Sequence, residues 1–175
     1  SVTFSTKERD VQRRDFTING MLLNPMSAEV IDLVDGLEDI RRGRIKTIGN
    51  PVDRFGEDYL RMMRAIRFAA QLDFIIGHEE FDSIKTLADR IQFISAERVR
   101  EELMKILSAT NPSYGIHLLY TSGLLRHILP EVAVTVDVKQ SPDYHPEITV
   151  YNHLLLTLRS VRVNNPLLRL AALLH

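Results

Sequence analysis

The spacing of apolar residues changes near residue 50 and divides the chain into a short part with strands and a longer helical part. Before residue 50, three short segments of mainly apolar or alternating residues, 16–23, 29–33 and 45–48, are separated by turn residues. The first two flank the turn pair Asn24-Pro25 and are predicted to form a hairpin. Residues 37–42 predict one short helix, and residues 1–6 alternate like an extended segment that needs a partner strand.

Helical periodicity dominates after residue 50. The longest predicted helix covers residues 56–72, with Asp53 as a candidate cap upstream. One side of this helix is apolar, and the other side carries Arg61, Arg64 and Arg67. Taken alone, this arginine side also fits a solvated surface with an ion pair between Glu57 and Arg61.

The remaining helices are predicted from the same periodicity and from capping residues. Ser95 and Asn111 are candidate N-caps, and Pro112 suits a first helical position. Pro130 is predicted to stop a short helix, and residues 134–146 have the composition of a loop. The predicted helices cover residues 79–90, 96–107, 112–121, 124–129 and 148–163, and a last one begins at residue 167.

Composition excludes several classes of protein. The chain has 45% hydrophobic and 26% charged residues, which is average for a folded domain and excludes a disordered chain. Its 22 basic and 23 acidic side chains give a net charge of −1, so a globally basic nucleic-acid binder is excluded. Without cysteine, disulfide scaffolds and cysteine zinc sites are excluded. We expect a cytoplasmic protein with no membrane contact.

Both ends of the sequence suggest a piece of a longer protein. The first residue is Ser1 rather than methionine, and the opening alternation has no partner in sequence. The last ten residues stop inside an apolar helical pattern without a glycine cap or a polar tail. We therefore expect a fragment, and we expect its unpartnered apolar surface to favour self-association.

The most informative short segment is Arg13-Arg14-Asp15, which precedes an apolar run. Guanidinium groups bind phosphate oxygens in pairs, and a carboxylate accepts a hydrogen bond from a ribose hydroxyl. The segment therefore suits a nucleotide. The alternative is a surface ion pair of Arg14 with Asp10 or Asp15.

Four segments, in order, resemble motifs B to E of the class II tRNA nucleotidyltransferases, or CCA-adding enzymes, a superfamily that also contains the bacterial poly(A) polymerases. Leu33 replaces the proline that is usual in motif C. The resemblance covers residues 13–103. The matching segments are RRDFTIN at 13–19, IDLVDGLEDI at 31–40 with GRI at 43–45, RFGEDYLRMMRAIRF at 54–68 and SAERVREEL at 95–103.

This resemblance implies a nucleotide-binding site. In the family, the residues that match Asp58 and Arg61 hydrogen-bond the edge of the incoming base and so select C or A. Spacing of three residues on one helix would place the two side chains together, with one acceptor and one donor. The expected nucleotide-binding residues are Arg14, Asp15 at the ribose, Asp58, Arg61, and Arg64 and Arg67 toward the triphosphate or the RNA end.

The resemblance also implies parts that this sequence lacks. The family transfers nucleotides with two Mg²⁺ ions held by an Asp-x-Asp pair, and neither Asp-x-Asp nor Gly-Gly occurs in the 175 residues. We expect no catalytic residue in this chain and no nucleotide addition by it alone. The intact enzyme would use Mg²⁺, the substrates ATP and CTP, and a tRNA or another RNA 3′ end.

The C-terminal histidines resemble the start of an HD phosphohydrolase domain. His145, His153 and His175 fall where such a domain begins, and His153 and His175 would be remnants of its metal site. Two ligands do not make a metal site, so no metal is assigned to this chain. The alternative for His153 is an ordinary histidine of a helix.

We therefore predict a mainly α fold with a small β portion. Residues 1–50 are the C-terminal part of a nucleotidyltransferase head, 51–133 a helical, nucleotide-templating neck, and 134–175 the start of an HD-like helical region. The predicted function of the intact enzyme is Mg²⁺-dependent addition of C and A to tRNA 3′ ends. The alternatives are a poly(A) polymerase, an HD phosphohydrolase fragment and a non-catalytic helical RNA-binding module.

Overall fold

The computed structural model describes residues 7–139 and 149–175. Within them the chain is mainly helical, with eleven α-helices and two small sheets of two strands each, which confirms the predicted fold class. The predicted extended segment at 1–6 and His145 lie outside the described residues, as does most of the predicted loop at 134–146.

The part before residue 50 contains the predicted hairpin. Leu22 lies opposite Ile31 in an antiparallel pair of strands, which confirms that the first two apolar segments meet. Residues 17–19 form a 3₁₀ turn instead of strand, because the Asn19 side chain accepts a hydrogen bond from the Phe16 amide at 3.3 Å. The elements here are α1 (Lys7–Gln12), β1 (Leu22–Leu23), β2 (Val30–Ile31), α2 (Gly36–Arg41) and β3 (Arg44–Ile45).

The third predicted strand pairs with a partner that the sequence pattern did not indicate. β3 runs parallel to β4 (Ile75–Ile76), with Arg44 opposite Ile75 and Ile45 opposite Ile76. Two apolar residues before Gly77 are too short a run to show strand alternation. The pairing joins the first part of the chain to the helices that follow.

The helices after residue 50 correspond to the predicted helices except at the start of the longest one and at three places beyond residue 87. Residues 96–107 and 112–121 are helical as predicted, and the Asn111 side chain accepts from the Tyr114 amide as a cap. Ser95 stands at an N-cap position, but its side chain makes no capping bond. The helices are α3 (Pro51–Glu57), α4 (Leu60–Leu72), α5 (His78–Leu87), α6 (Ala96–Leu107), α7 (Pro112–Thr121), α8 (Leu125–Ile128), α9 (Pro130–Ala133), α10 (Val150–Ser160) and α11 (Pro166–Leu173).

The prediction of a single helix over residues 56–72 is wrong. The chain breaks at Asp58, whose backbone is extended with φ −157° and ψ 105°, so α3 ends at Glu57 and α4 begins at Leu60. Asp58 Oδ1 accepts a hydrogen bond from the Leu60 amide at 3.1 Å, and this local bond competes with a continuous helix. The cap of α3 is Asn50 rather than Asp53.

Beyond residue 87 the structure differs from the prediction at three places. Residues 88–93 form a 3₁₀ helix rather than the end of an α-helix. The short helix predicted before Pro130 does end there, since α8 stops at Ile128. Pro130 then begins α9, which was not predicted, at the first helical position, where its missing N–H costs no hydrogen bond. The first residues of the predicted loop at 134–146 form a 3₁₀ turn over Val134–Asp137.

Helix α4 is the centre of the core. Met62, Met63 and Ile66 are fully buried, and α4 packs against α6 and α7. Gly115 lets α7 approach α6 closely, since a Cβ there would lie 2.6 Å from Ile106 Cγ2 of α6. Among the described residues, no helix is long and apolar enough to cross a membrane.

Candidate nucleotide-binding site

A cavity of about 430 Å³ lies where the segment after α1 meets the starts of α4 and α6. Five of its lining side chains are arginines and two are carboxylates, so the cavity favours a negatively charged ligand. It brings together five of the six predicted site residues. The lining residues are Arg13, Arg14, Asp15, Asn19, Asp58, Leu60, Arg61, Arg64 and Arg98.

Asp15 is fixed at the inner wall of the cavity. Its Oδ2 accepts a hydrogen bond from Arg64 Nε at 2.5 Å, and its Oδ1 accepts one from Asn19 Nδ2 at 2.8 Å. Burial alone would raise the pKa of Asp15, but the hydrogen bonds from Arg64 and Asn19 outweigh burial and lower it below its ordinary value. Asp15 is therefore a charged acceptor, held in one orientation.

Asp58 stands between α3 and α4 and is held from two sides. Its Oδ2 accepts a hydrogen bond from Arg98 Nη2 at 2.7 Å, and its Oδ1 binds the Leu60 amide. The side chain is about 30% exposed. An ionised carboxylate has about four lone-pair positions, so Asp58 retains acceptor capacity toward a ligand in the cavity.

Arg61, in the first turn of α4, uses only one of its guanidinium nitrogens in hydrogen bonds to the described residues. Its Nη1 donates to the Arg54 carbonyl at 3.0 Å and to Glu57 Oε2. Neither Nε nor Nη2 has a hydrogen-bond partner among the described residues. The predicted ion pair of Glu57 and Arg61 is present, and it leaves part of the guanidinium free to bind a ligand.

Arg14 and Arg64 complete the basic wall. Arg14 Nη1 donates to the Asn19 carbonyl at 2.8 Å, while Nη2 pairs with Asp10 at 3.1 Å. The ion pair with Asp10 that was the alternative for Arg14 therefore exists, in a residue that also lines the cavity. Burial alone would lower the pKa of Arg64, but the hydrogen bond to Asp15 outweighs it and raises the pKa.

The sixth predicted residue, Arg67, lies outside the cavity. Its Nε donates to Glu102, a buried residue of α6, and its guanidinium stacks 4.0 Å from the centre of the Phe68 ring. The predicted arginine band is therefore divided. Arg61 and Arg64 line the cavity, whereas Arg67 joins α4 to α6.

Arg98 is a site residue to which the sequence assigned no role. It belongs to the segment that resembles motif E, which was the only signal for it, and it lies 40 residues from its partner Asp58. Only the packing of α6 against α4 brings the two side chains together. Arg13, the first residue of the predicted phosphate-binding pair, also lines the cavity, as do Asn19 and Leu60, to which the sequence assigned no role.

The C-terminal histidines come close to each other. The ring centres of His153 and His175 are 5.9 Å apart. Within residues 7–139 and 149–175, no group of three histidine or acidic side chains could hold a metal ion. The pair therefore forms no metal site with the other described residues.

Two family profiles match parts of the sequence. Residues 1–46 match the family described as the poly A polymerase head domain, and residues 73–135 match the probable RNA- and SrmB-binding site of polymerase A. A CCA-adding enzyme of Limosilactobacillus reuteri is 48% identical over 127 residues, which are 72% of this chain and 31% of that enzyme. A CCA-adding enzyme of Lactobacillus delbrueckii is 38% identical over 149 residues, 81% of this chain and 37% of that enzyme.

Solved structures match the fold. The Bacillus stearothermophilus CCA-adding enzyme in complex with CTP has a TM-score of 0.73 and 33% identity, over 78% of this chain and 35% of that one. The Thermotoga maritima CCA-adding enzyme complexed with tRNA has a TM-score of 0.72 and 26% identity, over 97% of this chain and 41% of that one. The chain spans about a third of the length of the curated relatives that it matches.

Proposed function

The chain belongs to the family of CCA-adding enzymes and poly(A) polymerases, and from this premise we propose that it selects the nucleotide for an RNA nucleotidyltransferase. The intact enzyme would add C and A from CTP and ATP to tRNA 3′ ends. The observation that carries the proposal is the meeting of Asp58, an acceptor, and Arg61, a donor, in one arginine-rich cavity.

Base selection follows from this donor and acceptor pair. Cytosine and adenine each present an exocyclic amino group beside an unprotonated ring nitrogen on the pairing edge, whereas uracil and guanine present a carbonyl beside a ring N–H. Asp58 accepts from the amino group, and the free Nε or Nη2 of Arg61 donates to the ring nitrogen. U and G leave both groups unpaired in a partly buried site, which costs binding free energy.

The other cavity residues suit the rest of a nucleotide. Arg13, Arg14 and Arg64 supply guanidinium groups for the triphosphate. Asp15 remains ionised and keeps lone pairs for a ribose hydroxyl, and Asn19 and Arg64 fix its orientation. The contact between head and neck thus prepares the site before the nucleotide arrives.

The described residues do not fit the Mg²⁺ that nucleotidyl transfer in this family requires. They contain no group of three potential ligands, and a guanidinium already binds each of the two cavity carboxylates. Mg²⁺ stabilises the attacking and leaving oxygens of such a displacement when it is bound. We therefore assign nucleotide selection to this chain and no step of the transfer itself.

A titration of the 175-residue chain with each of the four nucleoside triphosphates tests the proposal by calorimetry. We expect CTP and ATP to bind at least about tenfold more tightly than UTP and GTP, because one unpaired buried polar group costs about 1.4 kcal/mol or more. Equal affinities for all four would overturn base selection. Binding of ATP alone would favour a poly(A) polymerase.

Replacing Asp58 tests the template directly. Asp58→Asn keeps the shape but puts an amide donor beside the amino group, so the preference for CTP and ATP should fall about tenfold. Asp53→Asn is the matched control, since Asp53 is an exposed acid of α3 outside the cavity. A preference that survives in Asp58→Asn would contradict the assigned role.

A further inference from the structure

A second cavity, of about 480 Å³, collects three arginines at the opposite end of α4 from the nucleotide site. It lies between the start of α7, the end of α10 and the start of α11. Arg159 and Arg162 are exposed at its rim, and Arg169 is buried. The lining residues are Asp73, Thr110, Asn111, Pro112, Ser113, Leu158, Arg159, Val161, Arg162 and Arg169.

Arg169 is a buried cation without an anionic partner. Only 7% of the residue is exposed, and its Nη1 donates to the carbonyls of Leu107 at 2.6 Å and Ala109 at 3.0 Å and to Asn164 Oδ1 at 3.3 Å. Its Nε is buried with no hydrogen-bond partner. An unpaired donor on a buried charge is costly, and a bound anion nearby would offset that cost.

The arginine cluster as a whole is not neutralised. Among residues 7–139 and 149–175, no carboxylate lies within 4.0 Å of Arg159, Arg162 or Arg169. The one acid in the lining, Asp73, accepts a hydrogen bond from Asn111 Nδ2 at 3.3 Å. Arg61, Arg64 and Arg67 of α4 differ in this respect, because each of them has a carboxylate partner.

The position of the cluster relates it to the nucleotide site. Leu60, Arg61 and Arg64 line the nucleotide cavity from the first turns of α4, and Asp73, directly after α4, lines the second cavity. Thirteen helical residues span about 20 Å. This is less than one helical turn of a nucleic-acid duplex, about 34 Å, so one RNA can reach both cavities.

We infer that Arg159, Arg162 and Arg169 bind a backbone phosphate of the RNA whose 3′ end lies at the nucleotide site. The inference rests on the proposed function. Guanidinium groups match phosphate oxygens in paired hydrogen bonds. The three positive charges in this cavity are more than the single negative charge of one side-chain carboxylate would neutralise. Such a contact fixes the position of the RNA and reads no sequence.

Charge reversal at the rim tests this inference. Binding of the 175-residue chain to an RNA hairpin with a single-stranded 3′ end is measured by fluorescence anisotropy at several salt concentrations. We expect Arg159→Glu with Arg162→Glu to weaken binding at least about tenfold and to reduce the slope of log affinity against log salt by about 0.7–0.9, the value for one lost phosphate contact. CTP affinity should stay unchanged.

The matched control carries the same change of charge elsewhere. Arg41 and Arg42 are exposed arginines outside both cavities and outside the segment that matches the RNA-binding profile. Arg41→Glu with Arg42→Glu should alter RNA affinity by less than about twofold, because salt screens distant surface charges. Arg169 is left intact, since its carbonyl contacts also hold α11 in place.

Three other outcomes overturn the inference. RNA affinity that falls equally in both double variants would show an effect of net charge alone. Polyglutamate serves as a probe for an acidic protein partner. If Arg159→Glu with Arg162→Glu loses binding to polyglutamate but keeps its RNA affinity, the partner is an acidic protein surface. Binding of inorganic phosphate alone, with RNA affinity unchanged in the variant, would show a small-anion site. A wild-type chain that binds none of the four triphosphates would instead contradict the proposed function.

Discussion

Arg64 Nε donates a hydrogen bond to Asp15 Oδ2 across 2.5 Å, and this pair links α4 to the segment after α1. The Asp15 side chain is 8% exposed and the Arg64 side chain 34%, so the pair lies at the inner edge of the nucleotide cavity. The two residues are 49 positions apart. Their contact therefore forms only when the segment after α1 packs on α4, which couples formation of the site to folding.

Asp15→Asn should destabilise the fold and make its free energy of unfolding less dependent on pH in the acidic range. The substitution removes the charge from a hydrogen-bonded, largely buried ion pair, and we expect a loss of about 1.5–3 kcal/mol in the free energy of unfolding at pH 7. The pKa of Asp15 lies below its ordinary value of 3.8, so its charge stabilises the fold above that pH. The contribution is lost as the pH falls through the lowered pKa.

Urea unfolding at pH 7 and at points down to about pH 3 measures this effect. The stability difference between wild type and Asp15→Asn should shrink below about pH 4. Asp10→Asn is the control with the same change of charge, because Asp10 pairs with Arg14 at the surface and should contribute less than about 1 kcal/mol. A difference that stays constant with pH would contradict the ion-pair account.

Arg98→Ala should reduce base selectivity. Without the bond from Arg98 Nη2, the Asp58 carboxylate keeps only its contact to the Leu60 amide, so we expect the preference for CTP over UTP to fall several-fold. Arg98→Lys retains the charge and should restore part of the preference. Arg100→Ala, an exposed control on the same helix, should leave the affinity ratio from calorimetry unchanged.

The sequence predicted which residues lie together in the site where they are close in the chain, but it did not predict how they are arranged there. Asp58 and Arg61 were expected together on one helix and do line one cavity, yet Asp58 stands in the break between two helices. The bond from its own side chain to the Leu60 amide and the distant Arg98 hold this arrangement. Apolar periodicity over residues 56–72 does not report such a break.

Elements with complete local signals were predicted to the residue. Helices 96–107 and 112–121 have amphipathic spacing, and the second has Asn111 and Pro112 at its start. Strand β4 and the burial of Glu102 have no local signal, because the strand exists only against β3 and the glutamate is buried against Arg67, 35 residues away. A glutamate in an amphipathic helix is ordinarily read as exposed.

Arg67→Met should lower stability and leave nucleotide binding intact. The change leaves Glu102, whose side chain is 2% exposed, with Lys105 as its remaining cation at 3.2 Å. Removing one partner of a buried pair costs about 3 kcal/mol or more, so the midpoint of urea unfolding should fall clearly.

Arg61→Met is the converse variant on the same helix. It removes the Nε and Nη2 donors that Arg61 offers to a nucleotide, so affinity for CTP should fall at least about tenfold. The lost ion pair with exposed Glu57 should cost less than about 1 kcal/mol of stability. If Arg67→Met weakens CTP binding as strongly as Arg61→Met does, Arg67 contributes to the nucleotide site despite its place outside the cavity.

Gly115→Ala and Gly56→Ala should change stability in opposite directions, although both positions are helical. A Cβ at residue 115 would lie 2.6 Å from Ile106 Cγ2 and 3.1 Å from Ala70 Cβ. Both neighbours are fully buried and have no room to move away. Overpacking there should cost about 1–3 kcal/mol. A Cβ at residue 56 meets nothing within 4 Å, so the helix preference of alanine should raise stability by about 0.5–1 kcal/mol. Stabilisation of both variants in urea unfolding would mean that α6 and α7 do not pack as closely as Gly115 requires.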